Sequence, residues 1–79
     1  MGEVTATVNG RSYTLSCGDG EEPRLKELIG IVLKRTDAIS AQHGHIADAQ
    51  LLLMASLLIA DELLDAKSRI SALESNRRS

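Results

Sequence analysis

Ten consecutive residues, Leu51 to Ala60, read LLLMASLLIA and are followed at once by Asp-Glu-Leu-Leu. Wound into a helix, this run is apolar around its whole circumference. Leu53, Leu57, Ala60 and Leu64 make one stripe, and Leu52, Ile59, Leu63, Ala66, Ile70 and Leu73 make a second, well separated from it. Leu51, Met54 and Leu58 fill much of what remains. A helix that is hydrophobic all round needs cover all round, from a large core, a membrane or an assembly. The chain has 79 residues, enough for one small core. A membrane span needs about 20 apolar residues, and this run is bounded by Asp48, Asp61 and Glu62. An obligate homo-oligomer is therefore expected.

The single cysteine, Cys17, allows no intrachain disulfide and no zinc cluster. With no signal-peptide pattern at the N-terminus, a cytoplasmic protein is expected. A formal net charge of −2 supplies no overall basic footprint, and Tyr13 is the one aromatic residue, so nothing offers a stacking platform for bases. Nucleic acid and membrane are accordingly not expected partners.

The chain opens on a hairpin, expected over residues 3–17. Val4 to Val8 and Ser12 to Cys17 alternate with period two about Asn9-Gly10, the favoured pair for a two-residue type I′ turn. Such a turn sets Val8 opposite Arg11, Ala6 opposite Tyr13 and Val4 opposite Leu15, with Cys17 on the same apolar face. Two strands alone are marginal in water, so that face must rest on a helix.

Gly18-Asp-Gly20 ends the hairpin. A helix is expected over 21–43, with Pro23 in its first turn, Leu25, Leu28, Ile29, Val32 and Ile39 on one face, and Gly44 as a left-handed cap. Gly30 lies mid-helix, where a close approach by another backbone would account for it. A second helix starts near Ile46 and runs toward the C-terminus. Its Leu53/Leu57/Ala60/Leu64 stripe stops at Leu64, while the other continues through Ala66, Ile70 and Leu73 in heptad steps. The first stripe is expected to close the domain and the second to pair chains, with Asp65/Arg69 and Glu74/Arg78 as exposed i,i+4 pairs and a frayed tail from Asn76. The fold class is α+β, with a globular dimerisation domain over 1–64 and the start of a coiled-coil extension over 65–79.

No catalytic, cofactor or metal constellation stands out. His43, His45 and Asp48 lack further ligands in a fixed geometry, and Asp61, Glu62 and Asp65 belong to a solvated helix face. Gly18-Asp-Gly20 lacks the lysine and βαβ setting of a phosphate loop, and Cys17 sits on the core face without an activating partner.

Ala6-Thr-Val8-Asn9-Gly10-Arg11-Ser12-Tyr13, continuing through Leu15 to Cys17, is followed by Gly20-Glu21-Glu22 opening a helix and by Leu57-Leu-Ile-Ala-Asp-Glu-Leu63. In this order and spacing the motifs resemble the bacterial cell division protein ZapA family over nearly the whole chain. The resemblance implies a hairpin and two helices, the second extending into a coiled coil, and homodimers that pair into tetramers. It also implies a non-enzymatic scaffold without cofactors that binds filaments of the tubulin-like GTPase FtsZ and cross-links them at the midcell ring. Arg11 matches the family's Gly-Arg motif and is expected in the filament-contacting surface, with Asp48 and Met54 as its extension. The expected interface between copies is Leu52, Ile59, Leu63, Ala66, Ile70 and Leu73. The resemblance implies a longer coiled coil than the stretch after Leu64 supplies, since the seam ends at Leu73 and its next position is Arg77. A different class, a small homodimeric regulator or antitoxin-like module binding nucleic acid or another protein, would require a basic stripe on a hairpin face made mostly of Thr and Ser.

Overall fold

The computed structural model describes residues 1–78, with side chains through Arg77. Two antiparallel strands, β1 (Gly2–Val8) and β2 (Arg11–Cys17), are followed by helices α1 (Glu22–His43) and α2 (Asp48–Arg78). The turn has φ +54° at Asn9 and +77° at Gly10, the paired positive values that a type I′ turn requires. The register follows from it: Val8 faces Arg11, Ala6 faces Tyr13 and Val4 faces Leu15.

The two strands share one apolar face but not its cover. Val4, Ala6 and Val8 of β1 are buried, whereas Tyr13 and Leu15 of β2 remain partly open to solvent. β1 lies over α1, and β2 is the overhanging outer strand. The core joins Val8, Ile39, Leu51 and Ala55, with Leu33, Ile46, Leu52 and Met54 packed around them. Thr36, buried on the core side of α1, turns its hydroxyl back to the carbonyl of Leu33 at 2.9 Å, so its polar atom is satisfied within its own helix.

This core corrects the division of labour expected along α2. Leu53 and Leu57 are 60% and 61% exposed, and Ala60 and Leu64 are exposed as well. The residues that close the domain are Leu51, 1% exposed, and Ala55, fully buried. At about 100° per residue, Leu53 and Leu57 stand on the far side of the helix from Leu51. The packing face continues to Glu62, which pairs with Arg35 of α1. Residues 60–77 are exposed throughout. The expected fraying from Asn76 is not observed, because α2 continues to Arg78; Ser79 lies outside the described residues.

Smaller corrections concern the helix ends. α2 begins at Asp48 rather than near Ile46, its first turn closed by the Leu51 amide on the Ala47 carbonyl at 2.9 Å. Gly44 ends α1 with φ +76° but ψ −153°. That conformation is essentially restricted to glycine and differs from the left-handed cap. A Cβ built at Gly30 meets nothing within 4 Å, so no backbone of this chain approaches it. Arg69 and Asp65 pair at 3.1 Å, while the Glu74/Arg78 pair rests on a side chain outside the described residues.

Candidate functional site

The type I′ turn pushes the hairpin tip against the start of α2, and a polar cluster forms there. The Asn9 side-chain amide donates to the Ile46 carbonyl at 2.8 Å and to Asp48 Oδ1 at 2.7 Å. The Tyr13 hydroxyl donates to Asp48 Oδ2. Arg11 Nη1 stands 3.9 Å from the same oxygen, an ion-pair separation without a hydrogen bond. Asp48 opens the first turn of α2, where the helix dipole also favours a carboxylate. Its side chain is 16% exposed, against 78% for Arg11.

The electrostatics follow the bonding. The Tyr13 hydroxyl, then the Asn9 amide, hold the Asp48 carboxyl below the usual aspartate range; partial desolvation opposes them, and the nearby charges of Arg11 and His45 assist. The same bond pushes the Tyr13 phenol above its usual value, with desolvation and the carboxylate charge adding to it and Arg11 working against it. A depressed carboxylate contributes stability that is fully present above its unfolded pKa, near about 4, and is lost as pH falls through the folded value. A raised phenol contributes stability present below about 10 and lost as pH rises through its folded value. Tyr13 is the only tyrosine and the chain has no tryptophan, so phenol absorbance reports this site alone. Its titration midpoint is expected above 10, and Asp48→Asn should bring it back toward 10. An unshifted midpoint in the parent protein would remove the Tyr13–Asp48 bond from the solution structure.

The structure thus brings Arg11 and Asp48 together, with Asp48 turned inward to a bonding role. Met54 is not with them. It lies half-buried against the core cluster, a turn and a half further along α2 and about 120° around it from Asp48. Asn9 and Tyr13 were not singled out as site residues from the sequence. The available signal was chemical: a lone tyrosine on the apolar face of a strand needs a partner for its hydroxyl.

Beside the cluster runs an apolar groove of about 400 Å³ between β2 and the helices, with Tyr13, Leu15, Leu25, Leu28, Val32 and Leu52 in its walls. Of the expected interface residues, Leu52 and Ile59 are half-buried in the single chain, and Leu63, Ala66, Ile70 and Leu73 are exposed. The outer hairpin face carries Glu3, Thr5 and Thr7 opposite Ser16, Thr14 and Ser12, so it presents no basic stripe. The Cys17 thiol is pushed up by partial burial and by the carboxylates of Glu22 and Glu21, the reverse of an activated thiolate. Among the described residues no group of three or more His, Cys, Asp or Glu side chains could hold a metal ion, and no helix is long and apolar enough to cross a membrane.

Fold and site together define a small α+β module: a hairpin on a helix pair, a polar cluster at the hairpin tip and a long helical arm with an apolar side. The model of the family described as cell division protein ZapA matches residues 4–78. The chain belongs to that family, and it is a cell-division protein. A solved structure described as an unknown conserved bacterial protein from Pseudomonas aeruginosa PAO1 shares the fold, with a TM-score of 0.83 at 23% identity over 99% of this chain and 86% of that one. No curated protein matches the chain.

Proposed function

We propose that this protein binds FtsZ filaments in the cytoplasm through its hairpin tip and cross-links them at midcell as a homo-oligomer joined along α2. The observation that carries this reading is the separation of two surfaces on one rigid element. Arg11 stands beside Asp48 at the start of α2, and the exposed Ile70 and Leu73 lie on the same unbroken helix. At a rise of 1.5 Å per residue, Ile70 is ~33 Å beyond Asp48 along the axis. A contact group at one end and an association surface at the other suit a cross-linker. Each oligomer then carries two or more copies of a weak site, and avidity needs no additional contact.

Arg11 is the central side chain of the proposed contact, because its guanidinium is exposed and offers a fork of donors suited to a carboxylate. Asp48 lies behind it, engaged by Asn9 and Tyr13. Met54 belongs to the packing of α2 on the core and enters the proposal only as a neighbouring element of the surface. In co-sedimentation with polymerised FtsZ, Arg11→Ala should weaken pelleting about tenfold or more, with the oligomer unchanged by light scattering. Unaltered pelleting would take Arg11 out of the contact, and no pelleting of the parent protein at any salt would sink the reading as a whole.

A further inference from the structure

Arg11 has an acidic neighbour within 4 Å and yet does not bond to it, and the reason lies in what else Asp48 holds. Each carboxylate oxygen is already engaged by a neutral donor, Oδ1 by the Asn9 amide and Oδ2 by the Tyr13 hydroxyl. Arg11 is attracted by the charge from 3.9 Å and also interacts with the Tyr13 hydroxyl, but it makes no fork-to-fork pair with the carboxylate. Asn9 is fixed by its second bond to the Ile46 carbonyl. Tyr13 is fixed by its ring, which forms a wall of the apolar groove. The carboxylate is thus held from both sides by neutral donors.

We propose that Tyr13 and Asn9 are positioning residues that occupy both oxygens of Asp48 and so keep the Arg11 guanidinium available for a carboxylate of the partner filament. This rests on the reading of the hairpin tip as the filament-contacting surface. The partner group is an acidic side chain, because a planar fork of N–H donors finds its best geometric match in a carboxylate. Without the Tyr13 hydroxyl, Oδ2 loses its donor, and the nearest replacement is Arg11, two residues away on the same strand. Asp48 then captures the group that would otherwise meet the partner.

Tyr13→Phe is the clean variant, since Asn9 also supplies the positive φ of the turn. In the unbound protein, NMR of the Arg11 side chain should show its guanidinium protons exchanging more slowly in Tyr13→Phe than in the parent, as a direct pair with Asp48 forms. In co-sedimentation with polymerised FtsZ, Tyr13→Phe should weaken binding roughly 2- to 10-fold, and adding Asp48→Asn to it should restore most of the loss. A merely structural tyrosine would give no such rescue, because removing Asp48 as well would loosen the tip further. Unchanged Arg11 exchange in Tyr13→Phe, or a double variant that binds no better than the single one, overturns the proposal. Pelleting that ignores Arg11→Ala overturns the filament contact instead, while the exchange measurement still decides whether Tyr13 keeps Asp48 from Arg11.

Discussion

Leu51→Ala is expected to abolish or nearly abolish the cooperative thermal transition of this protein. Leu51 is the largest fully buried side chain, at 1% exposure, and it joins α2 to both Val8 of the hairpin and Ile39 of α1. Truncating a buried leucine costs about 2–5 kcal/mol, through lost transfer energy and the cavity left behind. A core of this size rarely supplies more than about 3–5 kcal/mol, and each kcal/mol shifts the midpoint of such a domain by about 4–8 °C. Circular dichroism melts at fixed protein concentration measure the effect. Leu57→Ala is the comparison, because that residue is 61% exposed on the far side of the same helix. Its cost to chain folding should stay within about 0.5 kcal/mol. Equal losses from the two variants would show that the core face has been assigned to the wrong stripe.

The second large effect is expected from Ile70→Glu combined with Leu73→Glu. Both side chains are exposed in the single chain and lie on the heptad seam proposed to pair copies. Each is worth roughly 1.5–3 kcal/mol when buried, and a symmetric pair of arms counts every position twice. Losing even half of that weakens association by more than about 100-fold. Light scattering should report a monomer where the parent protein is an oligomer, with helix content largely kept through residue 62. Filament bundling should disappear in electron micrographs, while residual single-site binding persists. A double variant that still runs as the parent oligomer would exclude this seam as the interface.

The hairpin was fully legible in the sequence because its determinants are local. Asn-Gly demands two positive φ angles, and the period-two pattern then leaves one register. Both helices were legible for the same kind of reason, to within two residues at their ends. The face of α2 that closes the domain was not. Three stripes of similar hydrophobicity compete on that helix, and periodicity ranks them equally. The choice is made by the direction of the short connection after Gly44 and by where β1 lies, neither of which leaves a local trace. The polar cluster failed to show for a related reason. Tyr13 and Asp48 are separated by the whole of α1, and each has an ordinary explanation in its own neighbourhood, as a strand residue and as a helix-start acid. Arg11 could be singled out through the resemblance to a family, but the bonding that surrounds it required the fold.

The unbroken course of α2 has a consequence in angular terms. With about 100° of rotation per residue, Ala66 returns to the azimuth of Asp48, and Leu52, Ile59, Ile70 and Leu73 fall within about 40° of it. Leu63 stands about 60° away. The seam and the clasp at the hairpin tip therefore lie on one side of the helix, the side on which Ala55 packs into the core, and the groove walled by Leu52 and Tyr13 is the upper end of that side. Because no break interrupts the helix, inserting a single residue between the two regions would swing them about 100° apart, whereas inserting seven would lengthen the arm by ~10 Å and nearly preserve their common bearing.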